Sequence, residues 1–322
     1  MDADLTARLA RTSRGFPAAL AVICPDGTEV ALHRCGPDDD FEIGSITKGV
    51  TGLLYHDALA RGEVRPGTTL GELLPLADAA VGTITLAAVA THRSGLPRML
   101  GGHLLRRSLE YLRHGHDPFD QPLDELYAAA RAAKLRPGRA RYSNAGYQLF
   151  GQALAAAAGV PYPELVRQRV ARPLGLDPFY VPDGAAGLRT TALEGHNRGR
   201  VVDPWASRAV GPAGGVRASI TAMAGFARAL LDGTAPGIAA LDPVADFAGP
   251  AMRVGAGWMT TDARGRGPLT WHNGGTGGFR SWLGLRRDLG IGLIVLVATT
   301  RAADPLGLSL INQMVDNSAA AA

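Results

Sequence analysis

Lys48 lies three residues after Ser45 in the segment Gly44-Ser45-Ile46-Thr47-Lys48, and it is one of only two lysines in a chain with 31 arginines. Lysine can give up its proton near neutrality when its surroundings disfavour charge, with a reference pKa of about 10.4, whereas arginine stays charged. Ser45 and Lys48 are therefore a candidate nucleophile and base. If Ser45 opens a helix, the i, i+3 spacing puts both side chains on one face, and the helix N-terminus favours negative charge near the serine oxygen. A serine at that place is by itself more often an N-cap, so the pair needs support from elsewhere in the chain.

The segment after it supplies part of that support. Val50, Leu53, Leu54, Ala58 and Leu59 form a broad apolar stripe at helical spacing, which predicts a largely buried helix. A lysine on its first turn would be partly desolvated, which lowers its pKa and makes it a better base. Upstream, the spacing predicts a helix over residues 3–13 and a hairpin in which Pro25-Asp26-Gly27 joins Ala18–Cys24 to Thr28–Arg34. Residues 66–204 read as helices broken by Pro and Gly, including 122–134, 145–158 and 163–172. From about residue 252 the period changes to strands at 253–261, 268–272, 279–287 and 291–299, and a helix over 306–315 closes the pattern.

Strands at both chain ends with helices between them imply an α+β fold. It is an α/β sandwich of antiparallel sheet flanked by helices, with an inserted all-helical region. The boundaries read as an α/β domain from residues 1–65 and 205–322 and a mainly helical domain from 66–204, with a cleft between them.

Composition excludes several other classes. An apolar share of 46% and a charged share of 19% describe an ordinary globular protein. The basic cluster Arg106, Arg107, Arg113, His114 and His116 carries no known nucleic-acid signature, so a solvated face is expected and nucleic-acid binding is not. No stretch reaches the roughly 18 consecutive apolar residues of a membrane span. The acidic Met1-Asp2-Ala3-Asp4 start is unlike a basic signal peptide, so a cytoplasmic location is expected. Cys24 and Cys35 form no disulfide framework and have no metal-ligand spacing; they read as small core residues. His114-Gly115-His116-Asp117 reads as a polar surface loop, and neither a metal nor a cofactor is expected.

Two further motifs complete the constellation. Tyr142-Ser143-Asn144 stands at a predicted helix start, and His272-Asn273-Gly274-Gly275 at the end of a predicted strand. S-x-x-K, then Y-x-N, then a [KH]-x-G strand, in this order, resemble the serine β-lactamase and penicillin-binding protein superfamily, and within it the class C β-lactamase-like branch. Thr91-His92-Arg93-Ser94-Gly95-Leu96-Pro97, Arg172-Pro173-Leu174-Gly175-Leu176, Gly211-Pro212-Ala213-Gly214-Gly215-Val216 and Gly277-Gly278-Phe279-Arg280-Ser281 resemble further segments of that branch across nearly the whole chain.

The resemblance implies a β-lactamase/transpeptidase-like fold and a serine hydrolase working through a covalent acyl-enzyme on Ser45. Lys48 and Tyr142 would be the other catalytic residues, with the choice of general base between them open. Asn144, His272, Asn273, Gly274 and Gly275 would bind substrate, the amides of Ser45 and Gly275 would hold the oxyanion, and His92 would be structural. Where class C β-lactamases carry K-T-G, this chain has His272-Asn273-Gly274, which weakens the expected carboxylate site. A small-molecule ester or amide is the expected substrate. An acyltransferase using an amine or alcohol acceptor is one alternative, a class C β-lactamase or D-alanyl-D-alanine carboxypeptidase another, and a non-catalytic binder the last. Residues 98–121, with Arg106, Arg107, Tyr111 and Arg113, form a long connection expected to cover the cleft. Oligomeric state is not legible.

Overall fold

The structure is a computed structural model describing residues 2–100, 110–111, 113–262 and 265–321. Its centre is an eight-stranded antiparallel sheet built from both ends of the chain. The N-terminal hairpin gives β1 (Ala18–Cys24) and β2 (Gly27–His33). Between it and the C-terminal strands lie β3 (Asp40–Glu42), β4 (Phe179–Tyr180), β5 (Gly195–Asn197), β6 (Arg200–Val202) and β7 (Arg217–Ser219). The C-terminal part gives β8 (Ala245–Asp246), β9 (Met252–Val254), β10 (Met259–Asp262), β11 (Pro268–Gly275), β12 (Arg280–Arg286) and β13 (Ile291–Val297). The order across the sheet is β2-β1-β13-β12-β11-β10-β9-β8, so the first and last strands of the chain are neighbours, with Leu20 opposite Val295.

Five longer helices are α1 (Asp2–Ser13), α2 (Thr47–Ala60), α3 (Asn144–Ala158), α4 (Ile220–Leu231) and α5 (Asp304–Ala321). Side-chain alternation along the central strands sorts the core onto the two sheet faces. Leu20, Leu293, Val295 and Val297 pack with Leu5 and Leu9 of α1 and with Leu306, Leu310 and Ile311 of α5. Ala19, Ala21, Ile294 and Leu296 face the larger cluster, which holds Val50 and Leu53 of α2, Met223 and Phe226 of α4, and Leu149 and Phe150 of α3. Covered on both faces, β13 is a continuous apolar run, Ile-Gly-Leu-Ile-Val-Leu-Val, with no polar alternation.

Three local expectations are corrected. The run expected as one strand over 253–261 is split into β9 and β10, because the chain turns at Gly255–Gly257: a Cβ on Gly255 would lie 2.3 Å from the carbonyl oxygen of Ala240, and Gly257 has φ +75°. The turn drives Trp258 fully into the core beneath α2. Segment 66–204 is mainly helical but also carries β4, β5 and β6; β4 joins β3 and β7 in a separate three-stranded sheet, and β5 pairs with β6. Cys24 and Cys35 are half-buried, not core residues. Among the described residues, no helix is long and apolar enough to cross a membrane.

Candidate active site

Ser45 is carried by a 3-10 turn, Gly44–Ile46, and α2 begins only at Thr47, so the serine precedes the helix and makes no capping bond. The approach to it is fixed by a buried ion network. Arg217 on β7 is 1% exposed and is clamped to Asp40 and Glu42 of β3, and Glu42 Oε1 also accepts the Trp205 amide at 2.9 Å. Burial above all pushes the Glu42 carboxyl up from its ordinary value, with Arg217 opposing. Beyond β3 the chain presses against β11. Gly44 has φ +52°, and a Cβ there would stand 2.5 Å from the Gly275 amide nitrogen; one on Gly274 would stand 2.1 Å from the Ile43 carbonyl oxygen. Only glycine at both places lets the serine turn lie on the strand backbone.

Lys48 is completely buried on the first turn of α2, and its Nζ lies 3.0 Å from Ser45 Oγ and 2.5 Å from the Ala213 carbonyl oxygen. No carboxylate faces it among the described residues. Tyr142 and Tyr147 present their rings to Nζ at 4.9 and 5.8 Å. Desolvation first, and the Arg98 charge second, drive its pKa well below the usual lysine value. A neutral amine donating to Ala213 keeps its lone pair for the serine proton. Tyr142 shifts the other way: burial pushes the phenol well up, against opposing contributions from a hydrogen bond with Ser45 and from Arg98. A resting phenolate is thereby disfavoured.

The other expected residues converge on the same place. Ser143 caps α3, its Oγ accepting the Gly146 amide at 2.9 Å, which sets Tyr142 just outside the helix and Asn144 on its first turn. Ser45, Tyr142, Asn144, Asn273, Gly274 and Gly275 all line one cleft of about 590 Å3. His272 is buried behind it, with its ring centroid 6.2 Å from that of Tyr142. His272 Nδ1 donates to the Asn273 carbonyl at 2.6 Å, leaving Nε2 as an unpartnered acceptor. Burial, then the Lys48 charge, push its pKa down to about 3.

The structure also places here residues that sequence reasoning passed over. His92, read as structural, stacks on Tyr142 at 4.7 Å between centroids, and its Nδ1 accepts the Ser143 amide at 3.3 Å. Ala213, quoted only as part of a motif, supplies the carbonyl that orients Lys48. Arg98, Met99, Phe119, Trp205, Thr276, Arg280, Ala302 and Asp304 complete the lining, and Asp304 accepts a hydrogen bond from Asn273 Nδ2 at 2.6 Å. They come from distant segments and carry no pattern that would have grouped them.

Of the connection expected to cover the cleft, Arg106 and Arg107 lie outside the described residues. Tyr111 Oη donates to the Gly277 carbonyl at 2.7 Å and accepts from Asn197 Nδ2 at 2.7 Å. His116 in the His-Gly-His-Asp loop pairs with Asp203 at 2.8 Å.

These protonation states predict the pH profile of an acylation by Ser45. Activity rises with pH as Lys48 loses its proton, at a pH well below that of an ordinary lysine, and no part of the rise belongs to a histidine. Burial pushes both His272 and His92 down, so neither changes charge in the ordinary histidine range near 6.5. A kcat/KM profile with an inflection near 6.5 that vanishes in His272→Asn or His92→Asn would assign the base to histidine instead.

Residues 2–310 match the family described as Beta-lactamase. The D-alanyl-D-alanine-carboxypeptidase/endopeptidase AmpH of Escherichia coli K12 is 34% identical over 155 residues, covering 45% of this chain and 38% of AmpH. Penicillin-binding protein 4 of Amycolatopsis lactamdurans is 28% identical over 249 residues, covering 70% of this chain and 62% of that protein. The match with a β-lactamase of Escherichia coli K12 is 29% identical and covers 57% and 46%. The chain thus spans less than two thirds of the length of these curated relatives. The crystal structure of a β-lactamase/D-alanine carboxypeptidase from Pseudomonas syringae shares the fold, with a TM-score of 0.77 at 18% identity over 92% of both chains. With the serine turn, the buried lysine and the glycine strand set in one cleft and the family match running through nearly every element, this chain belongs to the β-lactamase family.

Proposed function

We propose that this protein is a serine hydrolase that cleaves an ester or amide bond of a small molecule through an acyl-enzyme on Ser45. One observation carries the reading: a fully buried, acid-free Lys48 amine 3.0 Å from the oxygen of a reachable serine. An amine so placed serves no ion pair, and its burial is explained by base catalysis.

Neutral Lys48 takes the Ser45 proton as Oγ attacks the carbonyl carbon, and the carbonyl oxygen becomes an oxyanion held by the Ser45 and Gly275 amides. As the intermediate collapses, the bond to the leaving atom breaks. Tyr142 gives that atom its proton, and the proton on Lys48 restores the phenol. Water then repeats the addition at the acyl carbon, releasing the acid and regenerating Ser45. The test is intact-protein mass spectrometry after mixing with a p-nitrophenyl acyl ester. The expected result is one added acyl mass located at Ser45 and lost again by hydrolysis; turnover without any such adduct under rapid quench, or an adduct elsewhere, contradicts the proposal.

Penicillins and cephalosporins should be poor substrates. His272 is uncharged at neutral pH and Asn273 is bound to Asp304, so the lysine cation and the hydroxyl that this strand carries in class C β-lactamases are both missing. Nitrocefin turnover is expected at least about a hundredfold below that of an activated ester, the loss of one or two charge-assisted hydrogen bonds. Nitrocefin kcat/KM equal to that of the ester would reverse this ranking.

A further inference from the structure

The two ends of the cleft carry different groups. Tyr142 and the neutral His272 mark the end where the leaving group must receive its proton. From there β11 runs past Asn273 and Gly274 to Gly275, whose amide meets the oxyanion, so the acyl half of a substrate lies along Gly275 and Thr276. Arg280 stands at this second end. It pairs with Gly275 across the β11–β12 ladder, and its guanidinium covers that glycine: a Cβ on Gly275 would meet Nη1 at 3.1 Å and Cζ at 3.2 Å.

The state of Arg280 is unusual for a cation so enclosed. Three well-buried arginines, Arg169, Arg217 and Arg286, each face a carboxylate. Arg280 is half-buried, and its Nη1 donates only to the neutral carbonyls of Thr276 and Phe279, at 2.8 and 2.7 Å. Among the described residues no carboxylate comes within ion-pair distance of it. Asp304, which acts on it from further away, is already engaged by Asn273. At the rim a second arginine, Arg98, sits with its guanidinium 5.6 Å from the Tyr142 ring centroid, and among the described residues it too has no carboxylate at ion-pair distance. A partly desolvated cation lacking its anion is unfavourable unless a bound ligand supplies one.

We propose that Arg280 is a specificity-determining residue that pairs with an anionic group, a carboxylate, on the acyl half of the substrate, a choice of substrate class that rests on the acyl-enzyme reading of Ser45. The two backbone carbonyls fix Nη1, leaving the rest of the planar fork to receive a carboxylate. This subsite lies beyond the oxyanion, on the opposite side from the leaving group.

The test compares mono-p-nitrophenyl adipate with p-nitrophenyl hexanoate, which share leaving group and acyl chain length and differ in one terminal carboxylate. The wild-type protein is expected to favour the adipate ester in kcat/KM by about tenfold or more, the scale of one charge-assisted hydrogen bond, with the preference shrinking as salt is raised. Arg280→Gln should bring the ratio of the two esters close to one, and Arg280→Lys should keep part of it. A wild-type ratio at or below one overturns the proposal without recourse to any variant. An unchanged ratio in a folded Arg280→Gln protein overturns the role of Arg280. If neither ester acylates Ser45, the hydrolase reading itself fails, and this inference fails with it; both esters turned over equally well would leave that reading intact and remove only the subsite.

Discussion

Ser45→Ala is expected to lower kcat for a p-nitrophenyl acyl ester by about four to six orders of magnitude and to abolish the acyl adduct in mass spectrometry. The size of the effect follows from the cleft, in which the other reactive groups are the Lys48 amine behind the serine and the Tyr142 phenol beside it. Neither can replace the lost nucleophile, because Lys48 is fully buried and Tyr142 has its phenol pushed further from ionisation. The fold should be unaffected. Ser45 makes no capping bond, and its turn is held by Ile43, whose amide donates to the Val216 carbonyl at 3.0 Å and whose carbonyl accepts from Ser281 Oγ at 2.7 Å. Circular dichroism and the melting temperature check this second half; residual turnover within tenfold of wild type would remove Ser45 from the mechanism.

Lys48 should separate activity from stability. Lys48→Arg is expected to lose at least about a thousandfold in kcat, since a guanidinium stays protonated and cannot take the serine proton. Lys48→Met should lose as much activity yet melt at a higher temperature than wild type when measured at neutral pH. The sign follows from linkage. The native pKa of Lys48 lies well below the ordinary value, so in the interval between the two the unfolded chain binds a proton that the folded chain does not. Within that interval the lysine destabilises the fold increasingly as pH falls. Methionine, of similar length and without charge, removes the penalty. A Lys48→Met protein that melts well below wild type at pH 7 would indicate that the amine is charged and stabilising in the native state. The base assignment would then return to Tyr142.

The order of motifs along the chain was enough to bring Ser45, Lys48, Tyr142, Asn144, His272 and the two glycines into one proposal, because each is tied to a local element a short window can report. Ser45 and Lys48 share a turn and the start of α2, Ser143 caps α3 beside Tyr142, and His272–Gly275 end a strand. The antiparallel sheet from both chain ends was legible for the same reason, since period-2 and 3.6-residue patterns record which face each element buries. The break between β9 and β10 was not, because it depends on the carbonyl of Ala240 meeting Gly255, a contact across distant sequence.

Electrostatics, too, was decided only by the tertiary structure. A reference pKa belongs to a residue type, but desolvation belongs to a place. Burial by α2, α3 and the Gly211–Gly214 turn shifts the Lys48 amine towards its neutral form; burial beside it leaves His272 uncharged where a lysine would have been a cation. Arg280 looked like the variable position of a short motif until the β11–β12 register set it over Gly275 with no acid beside it. The sequence by itself determined which reactive groups exist and in what elements they stand. Their charges and partners arise from packing among segments more than two hundred residues apart, such as Ile43 and Ser281, which are separated by 238 positions, and no local pattern encodes a distance of that kind.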